Sequence, residues 1–98
     1  MSRRSRLGKQ VERGEVTDPG EPIVLSVQRA LRVLDCIADE PFGIGPREIA
    51  RRLDFHPGTT QKILNTLRAQ DYVTVLGDSS KYRLGPAVSR LASLAAAH

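Results

Sequence analysis

The chain has 98 residues, with 15 Lys plus Arg against 11 Asp plus Glu for a net charge of +4, 40% hydrophobic and 4% aromatic residues, no Trp and one Cys. A chain of this size forms one small domain with a modest core, which leaves little room for a deep substrate cavity and argues against an enzyme. No apolar run is long enough to span a bilayer, and the basic stretch Met1 to Lys9 lacks the apolar region of a secretory signal; one cysteine and two dispersed histidines give neither an internal disulfide nor a metal-ligand spacing. A cytoplasmic protein with no membrane segment, metal or cofactor is expected, and the pI of about 9.8 favours an anionic partner such as nucleic acid.

Residues 1–25 hold Gly8, Gly14, Pro19, Gly20 and Pro22 with scattered charges and few periodic apolar positions, the pattern of a disordered arm. Arg3, Arg4, Arg6, Lys9 and Arg13 make it basic at its start, so it is read either as a solvated tail or as an arm that contacts phosphate or a minor groove. From Ser26 a helix is expected, with the Ser26 hydroxyl as N-cap. Val27, Ala30, Leu31, Leu34, Ile37 and Ala38 fall on one arc and face inward; Arg29, Arg32, Val33 and Cys36 fall outside it, on a solvated or partner-facing side. A second, two-turn helix opens at Gly45-Pro46, where proline loses no needed hydrogen bond, and turns Ile49, Ala50 and Leu53 inward.

Asp54 and Phe55 interrupt that pattern, and His56-Pro57-Gly58 starts a third helix that runs to about Gln70. Thr60, Ile63, Leu64 and Leu67 lie on its inner side, and Gln61, Lys62, Asn65 and Arg68 project outward. Tyr72 to Val75 and Lys81 to Leu84 are β-rich and flank the turn residues Gly77-Asp78-Ser79-Ser80, which predicts a hairpin. Gly85-Pro86 opens a fourth helix with Val88, Leu91 and Leu94 on one seam.

Three helices, the second and third joined by a tight turn, followed by a hairpin, give a mainly α fold with a small β element: a winged helix-turn-helix over residues 26–85, preceded by the arm at 1–25 and followed by a further helix at 86–98. Ala50 is small where two such helices cross, and Asp54 occupies the turn position at which glycine usually adopts positive φ, a conformation Asp tolerates better than most residues. The third helix then presents Thr59, Gln61, Lys62 and Asn65 to a major groove: Gln and Asn match an adenine edge, Lys guanine acceptors, and a Thr methyl the thymine methyl. Gly58 is expected to leave backbone amides open to a phosphate at the helix start, with Arg47, Lys81 and Arg83 adding phosphate or minor-groove contacts. The plain alternative is that Arg47, Arg51 and Arg52 form a solvated face.

With these elements in place, the sequence resembles the IclR family of bacterial transcription regulators, in its N-terminal DNA-binding domain, from Ser26 to about Leu91. The carrying stretches are Ser26 to Leu34, Glu48-Ile49-Ala50-Arg51-Arg52-Leu53, Thr59 to Leu67, and Tyr82-Arg83-Leu84-Gly85-Pro86. Before the recognition helix the family often has Gly-Leu-Pro-Lys-Ser-Thr, and here the chain reads Asp54-Phe55-His56-Pro57-Gly58-Thr59; Gln61 stands where His is usual and Lys62 where Arg is usual. The resemblance implies sequence-specific binding of double-stranded DNA and a linker helix at 86–98. It also implies dimers, hence a pseudo-palindromic operator, and a larger C-terminal effector domain in full members that does not follow within this sequence; no small-molecule ligand is expected for the chain itself. Pairing of Val88, Leu91 and Leu94 with a second copy is favoured because burying a leucine contributes roughly 1.5 to 3 kcal/mol.

The competing reading is a winged-helix adaptor or dimerisation module that binds no DNA, which predicts an acidic or apolar outer face on the third helix. An enzyme would need Cys36 and His56 to converge as nucleophile and base, which the placement of Cys36 outside the inward arc opposes.

Overall fold

The computed structural model describes residues 21–97. Among the described residues the chain forms four helices, α1 (Leu25–Ala38), α2 (Pro46–Leu53), α3 (Pro57–Ala69) and α4 (Pro86–Ala96), and a hairpin of β1 (Val73–Val75) and β2 (Tyr82–Leu84) placed between α3 and α4 in the chain. The order and the pairing are those of a winged helix-turn-helix. Most of the arm expected over 1–25 lies outside the described residues, and of residues 21–25 the last already belongs to α1.

The core is one cluster contributed by the first three helices and the hairpin: Val33, Cys36 and Ile37 of α1, Ile44 before α2, Ile49 of α2, Leu64 of α3, Val73 of β1 and Tyr82 of β2. Val33, Ile49 and Leu64 are fully buried. This corrects the expected orientation of α1. Val33 and Cys36, placed outside the inward arc from the sequence, are in the core, while Val27 and Leu31 are 55% and 57% exposed and Ala38 is exposed as well. The apolar residues of α1 occupy two overlapping arcs, and α2 and α3 pack against the one that runs through Leu34, Ile37, Val33 and Cys36. Relative to the expected face the helix is turned by about a quarter turn, a choice that periodicity alone does not make. The N-terminus is corrected too: α1 begins at Leu25 with Val24 as N-cap and no side-chain cap, and the Val24 carbonyl accepts from the amides of Val27 and Gln28, so Ser26 lies inside the first turn.

The α2–α3 turn closes on Asp54, which adopts φ 56. The Asp54 amide donates to the Arg51 carbonyl at 3.3 Å and the Phe55 amide to the Ala50 carbonyl at 2.9 Å, the paired bonds that end a helix through a left-handed residue. Phe55 is half-buried against the core, and Arg29 and Arg32 of α1 lie over its ring at 5.9 and 5.3 Å from the centroid, fastening the turn to α1.

The hairpin pairs Val73 with Leu84, Thr74 with Arg83 and Val75 with Tyr82. Ile44 adds a third partner: its amide donates to the Tyr82 carbonyl at 3.1 Å and its carbonyl accepts from the Tyr82 amide at 2.8 Å, so the wing is tied to the segment between α1 and α2. That junction is tight at Gly43, where φ is +101 and a Cβ would lie 2.7 Å from Leu76 Cδ1.

Candidate nucleic-acid interface

The inner side of α3 is as the spacing predicts: Thr60 and Leu64 are fully buried, Ile63 and Leu67 half-buried. Thr60 meets the requirement for a partner by donating its hydroxyl to the His56 carbonyl at 3.2 Å. The outer side exposes Gln61, Lys62, Asn65 and Arg68, with Thr59 half-buried at its edge. This outer face is neither acidic nor apolar.

At the start of α3, His56 is the N-cap, and its Nδ1 accepts from the Gly58 amide at 3.0 Å. The expected open amide at Gly58 is therefore occupied within the chain, even though Gly58 itself is exposed. The capping role of His56 was not among the sequence-based assignments to the interface; the signal was its position directly before Pro57 at N1.

The arginines of α2 divide into two groups. Glu48 accepts from Arg51 Nε at 3.0 Å and from Arg52 Nε at 2.9 Å, and Arg52 Nη1 reaches Glu40 at 2.9 Å. The hydrogen bonds from Arg51 and then Arg52 hold the Glu48 carboxyl well below the usual range, at about 2; the bond to Glu48 raises the pKa of Arg51, and the bonds to Glu40 and then Glu48 raise that of Arg52. Both residues are exposed and paired with glutamates within the chain. Arg47, at the exposed start of the same helix, makes no ion pair among the described residues.

On the wing, Lys81 and Arg83 are exposed. Arg83 lies opposite Thr74 on the outward face of the hairpin, and Lys81 closes the turn, its amide donating to Ser79 Oγ at 3.2 Å and its carbonyl accepting from the Leu76 amide at 2.9 Å. Lys62, Arg68, Lys81 and Arg83 thus keep their charges outside any ion pair among the described residues.

Tyr82 connects wing and helix. Its ring is in the core at 7% exposure, and its hydroxyl accepts from Gln61 Nε2 at 3.4 Å; the same Nε2 donates to Asn65 Oδ1 at 3.0 Å. The sequence places Tyr82 in a strand without assigning it to the interface, since a contact spanning 21 residues leaves no local signature.

Cys36 and His56 are not brought together. Cys36 lines a shallow cleft of about 300 Å³ with Arg32, Asp35, Asp39, Arg52 and Leu53, and burial pushes its thiol pKa up, with Arg52 opposing. The His56 imidazole is engaged by Gly58. Of the helical seam, Val88 is half-buried, whereas Leu91 and Leu94 are 43% and 51% exposed. No helix among the described residues is long and apolar enough to cross a membrane.

Residues 26–77 match the model of the IclR helix-turn-helix domain. The chain is 33% identical over 67 residues to the HTH-type transcriptional regulator Rv1719 of Mycobacterium tuberculosis, covering 68% of this chain and 26% of that protein. It is 31% identical over 64 residues to the regulator XynR of Escherichia coli, covering 65% and 25%. Among solved structures it resembles an IclR transcriptional regulator from Alicyclobacillus acidocaldarius, with a TM-score of 0.69 and 33% identity over 76% of this chain and 30% of that one. An IclR regulator from Silicibacter sp. TM1040 gives a TM-score of 0.68 at 29% identity, over 74% and 28%. The chain spans about a quarter of the length of the curated relatives it matches. By sequence match, by fold and by the arrangement of its helix-turn-helix, the chain belongs to the IclR family of DNA-binding transcriptional regulators, a family without enzymatic activity.

Proposed function

We propose that the chain binds double-stranded DNA in a sequence-specific manner, with α3 in the major groove. Thr59, Gln61, Lys62 and Asn65 meet base edges there, Lys81 and Arg83 of the wing lie on the backbone or in the minor groove, and Arg47 contacts phosphate. The observation that carries this reading is the division of charge. Arg51 and Arg52 are neutralised by Glu48 and Glu40, while the cations around the polar face of α3 and on the wing are left outside any ion pair among the described residues. The adaptor alternative asks for an acidic or apolar outer face on α3, and Gln61, Lys62, Asn65 and Arg68 are neither.

Two copies on a pseudo-palindromic operator complete the proposal. Val24 at the N-cap of α1, Val27 and Leu31 of α1 and Leu91 and Leu94 of α4 are large apolar side chains left exposed, and covering them with a second copy supplies the two-fold symmetry that such a site mirrors. A chromosomal operator implies a cytoplasmic protein.

A salt titration of fluorescence anisotropy on a random-sequence duplex, with light scattering on the same sample, tests both parts. Affinity should fall with a log-log slope of about −0.9 per phosphate neutralised, and the mass should be that of a dimer. A folded chain that binds no duplex at low salt overturns the DNA reading and leaves the adaptor.

A further inference from the structure

Gln61 and Asn65 lie one turn apart on the exposed face of α3, and the structure joins them. A glutamine amide nitrogen carries two hydrogens, and those of Gln61 are directed at Asn65 Oδ1, 3.0 Å away, and at the Tyr82 hydroxyl, 3.4 Å away. Both donors of Gln61 are therefore engaged within the protein. What the side chain offers outward is its carbonyl oxygen, an acceptor. Asn65 has its oxygen turned toward Gln61, so what it offers outward is its amide nitrogen, a donor.

A lone Gln or Asn reads adenine with its own donor and acceptor as a fork. Gln61 cannot do this here without giving up one of its two bonds, and for Asn65 the bond from Gln61 takes up one of the two lone pairs of Oδ1. Building on the DNA-binding reading above, we infer that Gln61 and Asn65 act as one composite reader, oriented by the Tyr82 hydroxyl, with its acceptor on Gln61 and its donor on Asn65. The base edges it matches offer an exocyclic amino group, of adenine or cytosine, to Gln61 Oε1, and an acceptor, a purine N7 or a keto oxygen, to Asn65 Nδ2.

Tyr82 is a positioning residue in this arrangement. Its ring is 7% exposed in the core, and its main chain is held on one edge by Ile44 and on the other by β1, so the hydroxyl has little freedom to move. At 3.4 Å the bond is long, and its effect is to select the Gln61 rotamer that also reaches Asn65. The wing thereby influences which base is read at a helix position it does not occupy.

The test uses the full chain and the duplex that the unmodified chain enriches from a randomised pool, with a random duplex as reference. Q61A, N65A and the double variant form a cycle on two exposed side chains. A composite reader predicts that the double variant loses no more of the specific-to-random affinity ratio than either single change, a coupling of about fivefold or more. Tyr82→Phe keeps the ring, so its melting temperature and random-duplex affinity should stay near those of the parent while the ratio drops several-fold, with no further drop in the Q61A background.

Additive losses in the cycle, or an unchanged ratio in a folded Tyr82→Phe, overturn the inference. Should Tyr82→Phe fail to fold, the surface cycle decides alone. Salt-dependent binding without enrichment of any sequence overturns the composite reader and leaves the DNA-binding reading standing. Absence of binding to any duplex overturns both.

Discussion

Asp54 and Asp71 hold equivalent places at the ends of successive helices: both adopt left-handed backbone, φ 56 and 66, and each is followed by an aromatic residue whose amide closes the helix. Phe55 donates to the Ala50 carbonyl at 2.9 Å and Tyr72 to the Leu67 carbonyl at 2.8 Å. The first of these ends sets the angle between α2 and α3, and the second sends the chain from α3 into the wing. The two aspartates therefore stand where the chain passes from α2 into α3 and from α3 into the wing.

Glycine adopts this backbone without the steric penalty of a Cβ, whereas most residues lose roughly 1 to 2 kcal/mol there. Asp54→Gly and Asp71→Gly should fold at least as stably as the parent, and Asp54→Ala should be less stable than Asp54→Gly by about 1 kcal/mol. Urea midpoints at constant slope measure the difference. Equal midpoints for the Ala and Gly variants would show that this turn is not held left-handed in solution.

Gly85 is required for a different reason. Its backbone crosses Asp71 so closely that a Cβ would lie 2.5 Å from the Asp71 carbonyl oxygen and 3.0 Å from the Val73 nitrogen, while its own amide donates to the Tyr72 carbonyl at 2.8 Å. Gly85→Ala should destabilise by about 1 to 3 kcal/mol through overpacking against backbone. Gly45→Ala is the control, since nothing lies within 4 Å of a Cβ there, and its thermal midpoint should stay close to that of the parent.

The Glu48 carboxylate, held at about 2 against an ordinary 4.5 by Arg51 and Arg52, gives stability a defined pH dependence. Because the folded-state value is the lower one, its contribution is fully present above the unfolded value and is lost as pH falls from about 4.5 toward 2. Thermal melts of the parent and of Glu48→Gln should differ at neutral pH and converge toward pH 2. A constant gap across that window would mean the carboxylate carries no such bond.

Cys36, 8% exposed and with its thiol pKa raised by burial, should resist iodoacetamide at neutral pH and react at the rate of unfolding. Cys36→Ala should leave DNA affinity unchanged while lowering stability, because its side chain belongs to the core and not to the interface. Rapid labelling of the folded chain would place the thiol at the surface, where the helical pattern alone had put it.

The proposed interface has two kinds of contact, and single substitutions distinguish them. Lys62→Ala on the outer face of α3 should weaken an enriched duplex more than a random one. Arg47→Ala should weaken both equally and reduce the salt slope by about 0.9. Equal losses on both duplexes from the two changes would mean that α3 does not read bases.

Most of the element order was legible locally. Pro46, Pro57 and Pro86 at first helical positions, the Gly77 to Ser80 turn and the spacing of Thr60, Ile63, Leu64 and Leu67 each act within a few residues, and the structure has helices and strands where those signals put them. Asp54 was also readable, because only a few residue types tolerate the backbone that a tight helix-turn-helix demands.

Tertiary structure decided what these local signals leave open. On α1 the apolar residues fill more than one arc, and only packing by α2 and α3 selects Val33, Cys36 and Ile37 over Val27 and Leu31. The same holds for charge and hydrogen bonding: whether an arginine is paired depends on Glu40 and Glu48 arriving beside it, and whether Gln61 is free depends on a tyrosine from the wing. Periodicity and capping are set by neighbours in the chain, so the sequence determined the winged helix-turn-helix by itself. The pairing of exposed side chains is set by neighbours in space, and only the folded chain determined which groups remain outside such pairing.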